Sequence, residues 1–303
     1  MKLTICICTY NRNESLKNCI KSINNLVNRS PIKINIVIID NSKNFNVLKI
    51  KKKLINISKY KITFYNEKRR GIVNARNKFL KKLKNITPNF LCFFDDDCIV
   101  DKYWLKNVLK TTKVYKADIV TGPQIYSKNN LNKDLINYSI FFEKNYSSSI
   151  CNVDWAASNN VFIDYSVIKN NKIFFDIKLK KFGIGEDQLF FSLLKKRGNS
   201  IYWNKNVKVY EKSHLHRTNL LWLIKRSFRL GVLGHYIDKN IHGLIIGYNY
   251  NYLKSLYYLL IAFLNMLFLF NRYSRINSIN FFSRFIGRIC GPFIFKKIDF
   301  LKI

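Results

Sequence analysis

The feature that most constrains this chain is a regular alternation of apolar runs and amphipathic stretches over its first 95 residues. Four apolar, largely β-branched runs predict strands, and the stretches between them have the apolar spacing of helices. The strands are expected at residues 3–8, 34–39, 62–65 and 90–94, and the helices at residues 13–26, 47–57 and 71–83. This order is typical of a parallel sheet covered by helices on both faces, so the sequence predicts an α/β fold with a Rossmann-like, mostly parallel sheet.

Polar residues follow each of the four predicted strands. Because the carboxyl ends of parallel strands meet at one edge of a sheet, and ligands bind beyond that edge, these residues are expected to form one nucleotide-sized site. They are Thr9, Tyr10, Asn11 and Arg12 after the first strand, Asp40 after the second, residues 66–70 after the third, and Asp95, Asp96 and Asp97 after the fourth.

The triplet Asp95-Asp96-Asp97 is the most specific of these groups. Three adjacent carboxylates repel one another unless a cation or hydrogen bonds compensate them. Mg²⁺ and Mn²⁺ prefer such oxygen donors and complete their coordination with water and substrate phosphates. From the residues alone, a metal-bridged diphosphate and a solvated acidic turn both remain open.

The charge of the chain is extreme. Its 303 residues carry 53 Lys+Arg and 18 Asp+Glu, a formal net charge of +35, which predicts anionic partners. A hydrophobic content of 48% excludes a disordered basic tail. A nucleic-acid-binding protein is one alternative, although no zinc site, RNA-binding motif or reading helix is recognisable.

The cysteines and the N-terminus indicate an intracellular protein. The seven Cys are odd in number and include no CxxC pair, so reduced core thiols are expected. The first apolar run is too short for a signal peptide, and a cytoplasmic compartment is therefore expected.

Beyond residue 210 the chain becomes basic and apolar, with 14 Lys+Arg and 3 Asp+Glu in 93 positions. Residues 217–230 have the pattern of a helix lying on an anionic membrane, and residues 281–295 resemble a second interfacial piece. The apolar run 255–270 is shorter than the roughly 20 residues needed to span a bilayer. We predict a helical, membrane-associated region at 213–303, after a catalytic domain at 1–212 with a nucleotide-binding half at about 1–100 and an acceptor half at about 101–212.

Five segments occur in an order and at a spacing that resemble glycosyltransferase family 2, whose catalytic domain has the GT-A fold. They are TICICTYNR, IVIID, RRGIVNARN, FFDDDC and FGIGEDQLF, and the resemblance covers about residues 3–230. It implies that a nucleotide-sugar is bound by Thr9, Tyr10, Arg12, Asp40, Arg70, Asn74, Asn77, Asp95 and Asp96. It also implies that Mg²⁺ or Mn²⁺ is bound by Asp95, Asp97 and His214.

The same resemblance implies that Asp187 is the catalytic base and that Glu186, Trp155 and Asn160 bind the acceptor. Glu186 has a second possible role, that of tuning the pKa of Asp187. The competing interpretations are a helix N-terminal pair for Glu186-Asp187, a turn former for Asp40 and a core side chain for Trp155. The ligand assignment of His214 is uncertain because Tyr210 and Glu211 stand where that ligand is expected.

The resemblance implies an inverting, metal-dependent transfer of one sugar from a nucleoside-diphosphate sugar, most simply a UDP-sugar, to a glycan or lipid-linked acceptor. The expected setting is cell-surface polysaccharide assembly at the cytoplasmic membrane face, without nucleic acid. Processive synthases of the family carry a QxxRW segment, which this chain lacks, so single addition is expected. An inactive, donor-binding membrane scaffold remains an alternative. The oligomeric state is not predicted.

Overall fold

The computed structural model describes residues 1–28, 32–127, 146, 148–212, 219–268 and 270–300. The chain forms two compact units. The sheet unit contains residues 1–127 and 145–212, and the described part of the helical unit is residues 219–300. The domain bounds expected from the sequence, 1–212 and 213–303, remain a prediction.

Eleven strands are described in the sheet unit. They are β1 (Lys2–Thr9), β2 (Lys33–Asp40), β3 (Lys61–Asn66), β4 (Phe90–Asp95), β5 (Cys98–Val100), β6 (Ile119–Thr121), β7 (Gln124–Ser127), β8 (Ile150–Asn152), β9 (Asn160–Asp164), β10 (Ile201–Asn204) and β11 (Val209–Lys212). Eight form one sheet in the order β3-β2-β1-β4-β9-β6-β10-β8, and three form a second sheet in the order β5-β11-β7.

The first four strands confirm the predicted parallel sheet, because β1 pairs in parallel with both β2 and β4, and β2 with β3. Beyond β4 the sheet is mixed. Strand β9 runs antiparallel to both β4 and β6, between which it lies. This placement brings Asn160, far along the chain, opposite Phe94, the residue before the acidic triplet.

Six helices belong to the sheet unit: α1 (Asn13–Asn24), α2 (Lys51–Ile57), α3 (Ile72–Ile86), α4 (Trp104–Tyr115), α5 (Tyr165–Asn171) and α6 (Glu186–Lys196). The predicted helix at 47–57 is divided into a 3-10 turn at Asn46–Ile50 followed by α2. Helix α1 ends at Asn24, two residues before the predicted end, although Leu26 is still buried.

The core lies on both faces of the large sheet. Along β1, Ile5 and Ile7 pack on one face, and Cys6 and Cys8 pack on the other. This two-sided burial explains why the strand is a continuous apolar run. All seven Cys are free thiols, five of them buried.

The helical unit contains three long helices: α7 (Leu220–His242), α8 (Leu244–Met266) and α9 (Arg272–Phe300). The segment predicted at 281–295 is part of α9, and the segments predicted at 217–230 and 255–270 overlap α7 and α8, with residues 217, 218 and 269 outside the described part of the chain. Among the residues described, none of the helices combines the length and apolar character required to cross a membrane.

Candidate active site

The acidic triplet is fastened to the loop that follows β1. Asp96 is buried and accepts hydrogen bonds from Thr9 Oγ1 at 2.7 Å and from Arg12 Nη1 at 3.2 Å. Arg12 Nη1 also lies 2.6 Å from Asp97 Oδ2. The arrangement follows from strand register, because Cys8 of β1 pairs with Asp95 of β4 and the next residues of each strand therefore meet.

Thr9 and Asp96 were expected to contact the nucleotide. In the structure both side chains are buried and bind each other, and their nucleotide contacts stay predictions. Their role in the structure is to hold the first loop against the triplet. Burial raises the pKa of Asp96 to about 6, while the bonds from Thr9 and Arg12 act in the opposite direction.

Asp97 has a second carboxylate beside it, that of Glu211. One potential ligand atom from each of Asp97, Cys98 and Glu211 lies within 4.8 Å of the others. Strand β11 is antiparallel to β5 and places Glu211 opposite Cys98. Burial raises the pKa of the Cys98 thiol well above its usual value. Because hard divalent cations prefer oxygen to sulfur, the two carboxylates are the better donors.

Two close carboxylate oxygens, one of them on the buried Glu211, match the donors that Mg²⁺ and Mn²⁺ prefer. The residues present therefore fit a hard divalent cation. Glu211 was not assigned a role from the sequence. The available signal was its position, since it stands where a metal ligand was expected and acids are scarce in this chain. His214 lies outside the described residues.

A buried arginine joins the triplet to the Glu-Asp pair of α6. Arg76 donates from Nη1 to Glu186 Oε1 at 2.8 Å and from Nη2 to Asp95 Oδ1 at 3.4 Å. The side chains of Arg76 and Glu186 are 6% and 7% exposed, whereas that of Asp95 is 36% exposed. The carboxylate of Asp95 thus remains open to a ligand while its partner is enclosed.

Arg76 was also missed by sequence reasoning. The signal was helical spacing, because Arg76 shares the inner face of α3 with Val73, Leu80 and Leu83, all of which are buried. A charged residue at such a position requires a partner inside the fold.

The burial of Glu186 corrects its expected acceptor contact. Its Oε1 is bound by Arg76, and its Oε2 has no hydrogen-bond partner within the described part of the chain. The geometry favours the alternative, in which Glu186 acts on the neighbouring Asp187.

Asp187 lies in the first turn of α6, directly after a loop in which Gly183 and Gly185 have φ values of +64° and +86°. It accepts hydrogen bonds from the backbone N–H groups of Gln188 at 2.8 Å and Ser158 at 3.4 Å. Burial and the charge of Glu186 raise the pKa of Asp187 to about 6, against the opposing effect of Arg76. A carboxylate with a near-neutral pKa is suited to general base catalysis.

The segment 153–160 that passes Asp187 contains both remaining acceptor candidates. Trp155 is half-buried against the core, and its acceptor contact stays a prediction. Asn160 is 0% exposed in this structure, and its acceptor contact stays a prediction. Its Oδ1 accepts from Trp104 Nε1 at 2.7 Å, and its Nδ2 donates to the carbonyls of Val207 at 2.7 Å and Pro123 at 3.1 Å. Asn160 therefore joins three segments of the core.

Two further nucleotide candidates are enclosed. Asp40 is buried, and its two oxygens accept the backbone N–H groups of Ser42 and Val47 at 2.8 and 2.7 Å, which favours the turn interpretation over contact with a base. Asn77 holds the backbone of Phe175 through one donated and one accepted hydrogen bond, both of 2.8 Å. In this structure Asn77 therefore makes a structural contact with Phe175, where a contact with the nucleotide-sugar was expected.

Three candidates lie closer to the rim of the site. Tyr10 and Arg70 are exposed, and the guanidinium of Arg70 is 5.1 Å from the centre of the Tyr10 ring. Asn74 is mostly buried and donates to the carbonyl of Arg70 at 3.1 Å. The structure thus brings the first and third strand ends together, as the parallel order predicts.

Comparisons with known proteins agree with this architecture. The chain is similar to the succinoglycan biosynthesis protein ExoM of Rhizobium meliloti (strain 1021), with 25% identity over 252 residues, 82% of this chain and 79% of ExoM. It resembles S. aureus TarS 1-349 in complex with UDP-GlcNAc, with a TM-score of 0.57, 14% identity, and coverage of 95% of this chain and 91% of TarS.

It also resembles the mannosyltransferase PcManGT from Pyrobaculum calidifontis in complex with GDP-Man and Mn²⁺. The TM-score is 0.61 at 11% identity, with coverage of 96% of this chain and 87% of the mannosyltransferase. These two likenesses show the GT-A fold. Residues 4–173, more than half of the chain, match the family described as Glycosyl transferase family 2. The chain therefore belongs to glycosyltransferase family 2.

Proposed function

We propose that this glycosyltransferase transfers one sugar, with inversion, from a nucleoside-diphosphate sugar to a glycan or lipid-linked acceptor in cell-surface polysaccharide assembly. The proposal rests on Arg76, which joins two clusters of carboxylates. It contacts Asp95, next to the cluster of Asp97 and Glu211, and it contacts Glu186, the neighbour of Asp187. The similarity to ExoM, named for succinoglycan biosynthesis, supports the pathway class. A UDP-sugar is the first donor to test, since the similar TarS structure contains UDP-GlcNAc.

Asp187 is assigned as the general base. In an inverting transfer the acceptor oxygen forms a bond to the anomeric carbon while the bond from that carbon to the phosphate oxygen breaks. The acceptor hydroxyl must lose its proton as it attacks, and one carboxylate suffices to take it. A pKa of about 6 leaves Asp187 ionised at neutral pH yet basic enough to accept that proton.

Asp97 and Glu211 would hold Mg²⁺ or Mn²⁺, with Asp95 alongside. A bound ion supplies Lewis-acid stabilisation of the negative charge on the departing diphosphate. Arg12, which contacts both Asp96 and Asp97, adds a fixed positive charge at the same edge of the sheet. Tyr10 and Arg70, exposed at the neighbouring strand ends, are positioned to receive the nucleotide.

The place of action is proposed to be the cytoplasmic face of the cell membrane. The helical unit is basic and exposes many apolar side chains, which suits the surface of an anionic bilayer. Because the chain belongs to a glycosyltransferase family, we propose sugar transfer rather than the alternative function of binding nucleic acid. Measuring the turnover of the nucleotide-sugar distinguishes an enzyme from an inactive scaffold that only binds the donor.

A donor panel tests the proposal. Nucleotide release from UDP-, GDP- and other nucleotide-sugars is measured with Mg²⁺, Mn²⁺ or EDTA, with and without acceptor extracts. We expect release with one donor class that EDTA abolishes and that Asp97→Asn and Glu211→Gln reduce by at least about tenfold, on the scale of several kcal/mol expected for a metal ion.

Asp164→Asn is the matched control for this panel. Asp164 is half-buried and accepts the backbone N–H of Ser166 at 2.8 Å, but it lies opposite Phe90, at the end of β4 away from the site. Release that is undiminished in EDTA and in both ligand variants would show the metal assignment to be wrong. An absence of donor turnover with intact donor binding would favour the scaffold.

A further inference from the structure

The polar and apolar residues of helix α8 are distributed in the reverse of the usual way, with apolar side chains outside and polar ones inside. Its buried residues are Gly247, Asn251, Ser255 and Ala262, a stripe of small and polar side chains. Fourteen of its 23 residues are large apolar or aromatic side chains that are exposed. Examples are Ile245, Leu253, Tyr257, Leu260 and Phe263. Helices of water-soluble proteins bury the apolar stripe instead.

The exposed residues surround most of the helix. At about 100° per residue, their positions cover roughly two thirds of the circumference of α8. A protein partner covers one face of a helix, whereas lipid covers every side that the protein leaves open. The breadth of this apolar surface therefore favours lipid over a second polypeptide.

An ion pair is enclosed between the helices next to α8, and the partly exposed Lys254 reaches it from α8. Lys254, the only charged residue in the α8 sequence, lies with its Nζ 2.7 Å from Asp238 Oδ1 on α7. Arg288 of α9 contacts Asp238 at 2.8 Å and Asn251 Oδ1 at 3.0 Å, and the side chains of Arg288 and Asp238 are each 5% exposed. The unit thus has an ion-paired interior and an apolar exterior.

Close backbone contact holds α7 against α9. A Cβ at Gly231 would lie 2.2 Å from the carbonyl oxygen of Arg284, and a Cβ at Gly287 would lie 2.2 Å from that of Phe228. Small residues that let backbones approach are typical of helix pairs in lipid, where apolar side chains gain nothing by leaving the surface.

Positive charge lies on the two other helices. Lys225 of α7 and Arg275 and Lys296 of α9 are exposed, and residues 219–300 contain 11 Lys+Arg against 2 Asp+Glu. Basic side chains next to an apolar face complement the anionic headgroups that border the hydrocarbon of a bilayer.

We propose that the helical unit is embedded in one leaflet of an anionic membrane, with the outer face of α8 in the hydrocarbon and the polar stripe turned toward α7 and α9. The inference builds on the membrane location proposed above. It goes further because it specifies that the apolar exterior of the unit is inserted into the hydrocarbon, rather than adsorbed electrostatically to the membrane surface.

Flotation of the full chain with phosphatidylglycerol–phosphatidylcholine vesicles tests insertion. Embedding predicts that the protein stays with the vesicles in ~1 M NaCl, where the Debye length is about 3 Å. It also predicts that lipids brominated on their acyl chains quench the added fluorescence of Phe263→Trp. Tyr115→Trp, exposed in the sheet unit, is the matched control and should not be quenched.

Release by salt, or equal quenching of the two variants, would overturn the proposal in favour of adsorption. A stable oligomer without lipid, in which Phe263→Trp is already shielded from acrylamide, would overturn it in favour of a second copy of the chain.

A pair of glutamate variants separates this proposal from the catalytic one. Leu253→Glu with Leu260→Glu should reduce vesicle binding at least tenfold, whereas Val114→Glu, equally exposed in the sheet unit, should not. Metal-dependent nucleotide release without acceptor should be unchanged in all of them. Unreduced vesicle binding by the double variant would contradict embedding without bearing on the transferase.

Discussion

At the scale of single residues, the ionisation of Asp187 depends on two neighbours of opposite charge. Glu186 and burial raise its pKa to about 6, and Arg76 lowers it. Because a general base must be deprotonated, activity should rise as pH increases through this value. The acid limb of the pH profile therefore reports directly on the assigned base.

Glu186→Gln should move that limb to lower pH. Removing the negative charge beside Asp187 makes its ionised form easier to reach, while the amide preserves the shape of the side chain. The measurement is the pH dependence of kcat/KM for donor and acceptor. Asp164→Asn, a carboxylate at the opposite edge of the sheet, should leave the limb in place. If the acid limb of Glu186→Gln stayed at the same pH or moved to higher pH, the proposed effect of Glu186 on the pKa of Asp187 would be wrong.

The candidate site was predictable from sequence only where function leaves a local pattern. Asp97 and Asp187 stand in short acidic motifs, but which acids are enclosed depends on register between distant strands. Glu211 approaches Asp97 because β11 pairs with β5, and Asn160 is buried because β9 enters the sheet between β4 and β6. Neither pairing can be read from residue spacing.

At the scale of elements, the strands of the sheet unit act as a frame that fixes the acidic residues. The apolar runs predicted β1 to β4 because strands buried on both faces leave a continuous signal. Strands β5, β7, β8, β10 and β11 were not predicted, since each is three or four residues long and carries too little periodicity. The frame therefore includes parts that only tertiary contacts define.

Asn160→Ala should destabilise this frame rather than alter acceptor affinity alone. The change removes the acceptor of the buried Trp104 Nε1 and the side-chain donor to the Val207 and Pro123 carbonyls, of which that of Pro123 still accepts from Val209 N–H. An unsatisfied buried polar group costs about 1–3 kcal/mol. Chemical denaturation measures the loss, with Asn85→Ala, at an exposed position of α3, as control. A normal unfolding free energy with a raised acceptor KM would restore the acceptor role.

Gly287→Ala should destabilise the helical unit. The new Cβ would lie 2.2 Å from the carbonyl oxygen of Phe228, so α7 and α9 must separate. Overpacking of this kind costs about 1–3 kcal/mol. Thermal unfolding of the full chain checks the prediction, and Ile286→Ala, exposed on the same helix, is the control. Equal melting of the two variants would show that the backbone contact adds nothing.

At the scale of the whole molecule, the two units divide the tasks. The sheet unit carries the carboxylates assigned to metal and base, and the helical unit carries the broad apolar surface assigned to lipid. Under these two proposals, a diphosphate donor and an anionic membrane each account for part of the large positive charge, and the few acids specify the chemistry.

The most direct test of the central claim is the rate of sugar transfer by Asp187→Asn under conditions that saturate donor and metal. An amide cannot take the acceptor proton, so we predict a fall in kcat of about 10²- to 10⁴-fold, the range for a positioned base. Donor affinity, measured by calorimetry on the same protein, should stay within a few-fold of its original value. Transfer at the original rate would contradict the account.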